Sequence, residues 1–412
     1  MVAVASVTAY DLAISTPEKR ARSGQPQRRI NGTPVYEQEF WTSKQRQANP
    51  LHEVSYRGCF KPQLPAYFID RLSKPGDFIY DPFSGRGTTA IEAALLGRNV
   101  IANDVNPLSA ILTRPRLQVP LIAAIDVRLR AIKMTEKRKN DIDLSMFYHP
   151  DTERELLNLR TWLAERRANC MEDDADRWIR MVATNRLTGH SPGFFSAYTL
   201  PPNQAVSPES QIRINEKTGK APEYRNVREL ILRKSMQLQG DINAAARWRL
   251  QQAAARAQFL QGSATHTPSL ADNSVQLTVT SPPFLNVVQY AKDNWLRCWF
   301  NDLDAEAIGA GITMATSIND WSAVMQDVLD ELYRITRPKG WVAFEVGEVQ
   351  RGSINLDETV LPLSAIAGFR CEAILINTQK FTKTSNIWGI GNNERGTNSN
   401  RIVMLQKPAG AC

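Results

Sequence analysis

A glycine turn between hydrophobic segments most limits what this chain can fold into. Residues 76–80 predict a buried strand, residues 81–89 (DPFSGRGTT) a tight turn, and residues 88–96 a helix with apolar side chains at helical spacing. Gly85 and Gly87 allow the backbone to approach a ligand closely. The helix start beyond them offers unpaired N–H groups to an anionic group such as a carboxylate. This order predicts a ligand-binding strand–turn–helix unit of an α/β protein.

A second predicted strand, residues 98–104, ends in an acid. Asp104 lies about twenty residues beyond the turn, a spacing that suits hydrogen bonds to ribose hydroxyls. The turn lacks the Gly-x-Gly-x-x-Gly of a dinucleotide site and the Gly-Lys-Ser/Thr ending of a nucleoside-triphosphate site. The sequence therefore predicts a different ligand that carries a ribose.

A later strand stops at two prolines. Residues 273–279 are largely apolar and β-branched, and residues 280–284 (TSPPF) follow them directly. In open α/β sheets, ligands bind at the carboxyl ends of the strands. Phe284 would be available there to stack on a flat substrate. Taken alone, the segment is equally consistent with a strand that leads into a surface loop.

Composition excludes some classes of protein. The chain has 412 residues, 42% of them hydrophobic and 22% charged, which is ordinary for a soluble globular protein. No apolar segment approaches the length of a membrane span, and the N-terminus lacks a signal-peptide core. Five cysteines and four histidines are scattered, so we expect no metal site and a cytoplasmic location. A net charge of +8 permits a polyanionic partner without requiring one.

Several segments resemble motifs of the amino-methylating DNA methyltransferases. Residues 81–89 resemble motif I of these enzymes, residues 103–107 (NDVNP) motif II, and residues 281–284 (SPPF) motif IV. Residues 60–65 (FKPQLP) resemble motif X more weakly. Ser263 stands where relatives often carry the acid of motif III.

The resemblance implies a Rossmann-like class I methyltransferase fold. Its sheet would be mostly parallel, with an antiparallel strand at one edge and a largely helical insertion. It also implies S-adenosylmethionine as the cofactor, with the sulfonium activating the methyl so that no metal is required. The cofactor-binding residues that it implies are Phe60, Pro62, Asp81, Phe83, Gly85, Gly87, Thr88, Thr89, Asp104 and Thr280.

Four segments are expected along the chain. Residues 1–35 lack apolar periodicity and predict a flexible basic arm. Residues 36–115 and 257–412 would form the two halves of the catalytic domain, and residues 116–256 a helical insertion that recognises the target. Within the insertion, residues 120–141 predict a helical, basic segment and residues 224–255 one long helix.

The resemblance gives the catalytic residues their roles. The two hydrogens of an exocyclic amine would bond to Ser281 Oγ and to the carbonyl of Pro282, whose direction Pro283 helps to fix. These bonds localise the nitrogen lone pair and stabilise the positive charge that develops as the methyl transfers. Phe284 would stack on the base, which must be flipped out of the duplex.

A serine at the head of this tetrad favours N4 of cytosine in double-stranded DNA as the target, because aspartate or asparagine is commoner among N6-adenine enzymes. Three alternatives remain: an N6-adenine DNA methyltransferase, an RNA guanine-amine methyltransferase, and an inactive DNA-binding module. The intact residues Asp81, Gly85, Gly87 and Asp104 argue against the last. A restriction endonuclease is a possible functional partner.

Contacts to DNA are expected mainly in the insertion, where basic, aromatic and amide side chains cluster. Solvated helix faces and aromatic side chains that fill the core are the alternative interpretation. Residues 286–300 are expected to form a partly helical lid over the base, and residues 381–400 a long polar loop that also contributes. The candidate DNA-binding residues are Arg128, Arg130, Lys133, His190, Phe194, Tyr198, Tyr290 and Lys383.

Overall fold

A computed structural model gives the fold of the chain. It describes residues 26–41, 48–56, 58–200, 205–283, 290–312, 315, 317–349, 354–378 and 399–409. Phe284, Lys383 and almost all of the predicted 381–400 loop lie outside the described residues.

A nine-stranded sheet organises the fold, in the order β1-β2-β10-β11-β7-β6-β3-β4-β5, and β8 and β9 form a separate pair. The strands are β1 (Arg28–Ile30), β2 (Thr33–Gln38), β3 (Phe78–Asp81), β4 (Asn99–Asp104), β5 (Gln258–Gln261), β6 (Val275–Thr280), β7 (Thr336–Val346), β8 (Glu348–Val349), β9 (Ile354–Asn355), β10 (Arg370–Thr378) and β11 (Ser399–Gln406). The helices are α1 (Gln63–Leu72), α2 (Thr88–Leu95), α3 (Leu108–Leu117), α4 (Ile122–Ala131), α5 (Pro150–Ala168), α6 (Asp174–Arg186), α7 (Pro208–Thr218), α8 (Val227–Leu238), α9 (Ala244–Ala254), α10 (Tyr290–Phe300), α11 (Ala305–Gly311), α12 (Ile318–Ile335) and α13 (Leu356–Ile366).

The strand directions confirm the predicted α/β class. Strands β5, β4, β3, β6 and β7 are parallel neighbours, and β11 is antiparallel to both β7 and β10. The sequence predicted an antiparallel strand at one edge of the sheet. The antiparallel strand β11 instead lies inside the sheet, between β10 and β7. Strand β10 and a hairpin formed by β1 and β2 lie beyond it.

The N-terminal hairpin corrects the expectation of a flexible arm through residue 35. Asn31 and Gly32 have φ angles of 49° and 82° and form the tight turn between β1 and β2. Such Asn-Gly turns favour two-residue hairpins because both residues tolerate positive φ. Strand β2 pairs in parallel with β10, and Val35 is completely buried.

The insertion shares its core with the sheet. Trp178 of α6 and Phe147, which precedes α5, are fully buried in one apolar cluster with Ile79 of β3 and Val100 of β4. The segment expected as one helix over residues 224–255 is divided into α8 and α9, because Asn243 caps the start of α9. Residues 120–141 are helical only over α4.

Helix α10 corrects the expectation of a lid over residues 286–300. Leu296 and Phe300 are completely buried and belong to the same apolar cluster as the insertion. The segment is partly helical, as predicted, but the apolar face of the helix packs into the core. No helix among the described residues is both long and apolar enough to cross a membrane.

Candidate active site

A cavity of about 450 Å³ opens at the carboxyl ends of four parallel strands. Gly85 follows β3, Asp104 ends β4, Ser281 follows β6 and Glu345 lies near the end of β7, and all four line the cavity. The strand order reverses between β3 and β6. Such a reversal is where open α/β sheets bind ligands, so the fold itself creates this site.

The glycine turn forms one wall of the cavity. Gly87 is the N-cap of α2 with φ 77°, and a Cβ atom placed on it would lie 2.2 Å from Thr113 Oγ1. Asp104 Oδ2 accepts a hydrogen bond from the Gly85 N–H at 2.8 Å, and its Oδ1 accepts one from the Asn106 N–H at 3.0 Å. Burial raises the pKa of Asp104 to about 6. The acid thus fixes the turn and retains lone pairs that can bind a ligand.

A buried acid joins the glycine turn to the strand of the proline motif. Asp81 is 2% exposed, and its Oδ1 accepts hydrogen bonds from Thr280 Oγ1 at 2.7 Å and from the Phe83 N–H at 3.2 Å. Burial raises the pKa of Asp81 to about 7. Thr89 Oγ1 donates to the carbonyl of Val279 at 3.0 Å. These bonds hold β3, α2 and β6 together beneath the cavity.

The sequence-predicted cofactor residues therefore fall into two groups. Phe60, Phe83, Gly85 and Asp104 line the cavity. The others lie behind its wall, where they are buried and shape the turn or its supporting strands; they are Pro62, Asp81, Gly87, Thr88, Thr89 and Thr280.

The proline motif forms the opposite wall. Ser281, Pro282 and Pro283 line the cavity. Ser281 hydrogen-bonds to Glu345, whose Oε1 also accepts from Asn400 Nδ2 at 2.8 Å. Burial raises the pKa of the Glu345 carboxyl, and its two hydrogen bonds oppose that rise.

Trp321 of α12 reaches the motif from another direction. Its Nε1 donates to the carbonyl of Pro283 at 3.0 Å, and its ring lines the cavity. Sequence reasoning missed Trp321, Glu345 and Asn400. The one signal was an acid inside an otherwise apolar strand, residues 341–346 (WVAFEV).

The candidate DNA-binding residues in α4 and just after it differ in their availability. Arg128 forms ion pairs with Asp173 and Asp176, so its charge is already satisfied within the insertion. The Arg130 side chain is 77% exposed and pairs with Asp126 in the preceding turn of its helix, and Lys133 is exposed. Arg130 and Lys133 are therefore better placed to meet a polyanion.

The aromatic candidates differ in burial, and one of them fills the core. Phe194 is 9% exposed and lies under the Arg186 guanidinium at 4.0 Å from the ring centre, which agrees with the core-filling alternative. Tyr198 is half-buried and His190 exposed. Tyr290 begins α10. Phe194, Tyr198 and His190 do not line the cavity.

The fold is that of a class I methyltransferase. This follows from the order of the strands and from the cavity at their carboxyl ends, which lies between the glycine turn and the proline motif. Residues 8–110 match the family model described as "DNA methylase", of the N6/N4 methyltransferases. Over these residues the chain is similar to the amino-methylating DNA methyltransferases.

Two curated relatives are similar over parts of the chain. A type II methyltransferase of Methanocaldococcus jannaschii, M.MjaII, is 36% identical over 77 residues, which is 18% of this chain and 14% of that protein. The type II methyltransferase M.BsoBI of Geobacillus stearothermophilus is 23% identical over 299 residues, covering 68% of this chain and 58% of that protein. The matches thus span less than two thirds of either relative's length.

A solved structure is also similar. A Thermus thermophilus protein named as a DNA modification methylase, in complex with S-adenosyl-L-methionine, is 22% identical with a TM-score of 0.23. That match covers 37% of this chain and 55% of the other.

Proposed function

We propose that this protein transfers a methyl group from S-adenosylmethionine to the exocyclic N4 amine of a cytosine flipped out of double-stranded DNA. The observation that carries the proposal is a single cavity in which the glycine turn and Asp104 face Ser281 and Pro282. We call the side with the glycine turn and Asp104 the cofactor wall and the side with Ser281 and Pro282 the amine wall. Both walls border the same cavity.

The residues present fit the cofactor. Asp104 has lone pairs that can accept from ribose hydroxyls, and Gly85 brings the backbone of the turn to the cavity surface. Phe60 and Phe83 give this side of the cavity apolar surface for a purine ring. S-adenosylmethionine supplies a methyl group already activated by the sulfonium.

Ser281 and Pro282 prepare the amine. Their oxygens accept its two hydrogens, which localises the lone pair and stabilises the cation formed on transfer. Glu345 supports this arrangement because an ionised carboxylate can only accept, so Ser281 must donate its hydroxyl hydrogen to it. The lone pairs of Ser281 Oγ then remain available to the amine.

The target base is tested by digesting DNA after incubation with protein and cofactor, and separating the nucleosides by mass. N4-methylcytidine in its deoxy form is the expected product. N6-methyladenine would overturn the cytosine assignment while retaining the methyltransferase, and methylation of RNA alone would overturn the DNA substrate. Ser281→Ala protein serves as the matched control for contaminating activity.

We further propose that the insertion, residues 116–256, recognises the DNA and that the 381–400 segment assists. Because Arg130 at the end of α4 and Lys133 just after it are exposed cations, the double change Arg130→Glu with Lys133→Glu should weaken DNA binding and reduce its salt dependence. Changing Arg128 instead should mainly lower stability, because it breaks two ion pairs. DNA affinity unchanged by the double change at moderate salt would place recognition elsewhere.

A restriction endonuclease that cuts the methylated sequence is the partner that this function would imply. Long-read sequencing of DNA from cells expressing the protein would report the modified base together with its sequence context. Plasmid from the same cells should then resist any endonuclease that cuts that context.

A further inference from the structure

Two buried arginines lie directly behind the cofactor wall. Arg86, between the two glycines of the turn, is 7% exposed, and Arg116 of α3 is completely buried. Within the described part of the chain neither forms an ion pair with a carboxylate. Burial of an arginine without an acid is costly unless its donors are used, so what these donors bind is informative.

Their donors converge on one segment, which we call the strap: residues 51–56 and 58–60. Arg86 Nη1 donates to the carbonyls of His52 at 3.3 Å and Val54 at 3.0 Å, and its Nη2 to the carbonyl of Phe60 at 3.5 Å. Arg86 thereby joins both ends of the strap to the glycine turn.

Arg116 also donates to backbone carbonyls, one of which belongs to the strap. Its Nη1 donates to the carbonyl of Leu51 at 2.9 Å, its Nε to that of Leu112 at 2.9 Å, and its Nη2 to that of Arg86 itself. Arg116 thus ties the strap, α3 and the glycine turn to one another through backbone atoms.

The strap is a wall of the cavity. Tyr56, Gly58, Cys59 and Phe60 line it, facing the glycine turn. The Tyr56 hydroxyl accepts a hydrogen bond from Asn106 Nδ2 at 2.9 Å, just beyond Asp104. The distance between the strap and the turn therefore sets the width of the cofactor side.

We propose that Arg86 and Arg116 form a clamp that positions the strap against the glycine turn, and that this clamp sets the affinity for S-adenosylmethionine. The inference rests on the proposed function, since it assigns that cofactor to this wall. A planar guanidinium has five donors in a fixed fork and can span several carbonyls at once, whereas a lysine ammonium on a single flexible stem cannot. Both residues are positioning residues, because neither lines the cavity among the described residues.

The chain contains a matched control for buried arginines of this kind. Arg98 is also 7% exposed and donates to the carbonyls of Ile69, Ser73 and Leu96, but these lie at the ends of α1 and α2, away from the cavity. Lysine at this position removes a comparable set of bonds without touching the strap.

The test is titration calorimetry of S-adenosylmethionine with wild-type protein and the variants Arg86→Lys, Arg116→Lys and Arg98→Lys, with thermal unfolding measured in parallel. Arg86→Lys and Arg116→Lys should each raise Kd by about tenfold or more, because the cofactor must then also order the strap. Arg98→Lys should lower the melting temperature to a similar degree and leave Kd within about twofold of wild type.

Turnover gives a second readout. In Arg86→Lys, the loss of kcat at saturating cofactor should be much smaller than the loss of affinity, because the amine wall is unchanged. Equal Kd values for Arg86→Lys and wild type, or an equal loss of affinity in Arg98→Lys, would overturn the clamp. If Arg116→Lys fails to fold, Arg86→Lys alone decides. Failure of the wild-type protein to bind the cofactor would instead overturn the proposed function.

Discussion

The residues that form the two walls of the cavity differ in how widely they are spaced along the chain. The cofactor wall combines the strap, Gly85 and Asp104, all within about the first quarter of the sequence. The amine wall combines Ser281 with Trp321, Glu345 and Asn400, which belong to four separate elements. A short motif can therefore specify the first wall nearly completely, whereas only the fold can assemble the second.

The largest expected effect is on the cofactor wall. Gly87→Ala should lower the free energy of unfolding by about 2–5 kcal/mol, from a left-handed backbone together with overpacking against Thr113. Chemical denaturation measures it. Gly219→Ala is the control, because its φ of +61° is similar but no atom lies within 4 Å of the added Cβ.

Two outcomes separate the causes at Gly87. Adding Thr113→Ala to Gly87→Ala should recover the overpacking part of the loss, about 1–3 kcal/mol, if steric contact matters. Equal losses in Gly87→Ala and Gly219→Ala would show that the left-handed backbone alone accounts for the effect.

The next effect is on the amine wall. Ser281→Ala should cost about 1.5–4 kcal/mol of transition-state stabilisation, roughly ten- to a thousandfold in rate, because one acceptor for the amine is removed. Single-turnover kinetics and calorimetry test it together. A large loss of cofactor affinity in this variant would contradict the division into two walls.

Glu345→Gln should slow methyl transfer by about ten- to a hundredfold, because a glutamine amide can donate to Ser281 and reverse the direction of their hydrogen bond. The raised pKa of Glu345 also determines the direction in which the rate of methyl transfer changes with pH. Only the ionised form orients Ser281, so the wild-type rate should rise as pH passes upward through that pKa.

Other acids titrate nearby, so the comparison must be between proteins. Burial raises the pKa of Asp104 to about 6 and that of Asp81 to about 7, and Arg401 beside Asn400 pairs with Asp357. These groups are common to both proteins. If the rate of Glu345→Gln still falls at low pH as much as the wild-type rate does, that fall is due to these other groups and not to Glu345.

The smallest effect is expected from Trp321→Phe. It removes the single hydrogen bond to the Pro283 carbonyl but keeps an aromatic ring in the wall, so the rate should fall by about two- to tenfold. Trp248→Phe, on a side chain 62% exposed, is the control. An unchanged rate would mean that the prolines alone fix this turn.

The same contrast explains what could be predicted from the sequence. The glycine turn and the strand before the prolines depend on local pattern, and both are found where periodicity placed them. The Glu345 contact depends on β7 lying beside β6, and no local pattern reports that neighbour. Likewise, the sequence predicted a lid for the segment that contains α10, whereas the burial of that helix depends on residues distant in sequence.

The roles of Asp81 and Thr280 show a further limit. Motif resemblance placed both at the cofactor, yet their side chains bond to each other behind the wall. A motif reports that residues are needed together without saying whether they touch the ligand. Their assignment to cofactor binding therefore remains a prediction about an indirect effect.

The N-terminal hairpin has a consequence for shortened versions of the protein. Strand β10 carries the fully buried residues Ala373, Ile374 and Leu375, and β2 covers its outer edge before the short, arginine-bearing β1 ends the sheet. A protein that began at residue 39 would present a long apolar strand with unpaired backbone groups to its neighbours. Such edges recruit strands from other molecules, so truncation there should produce self-association and loss of solubility even with the catalytic cavity intact.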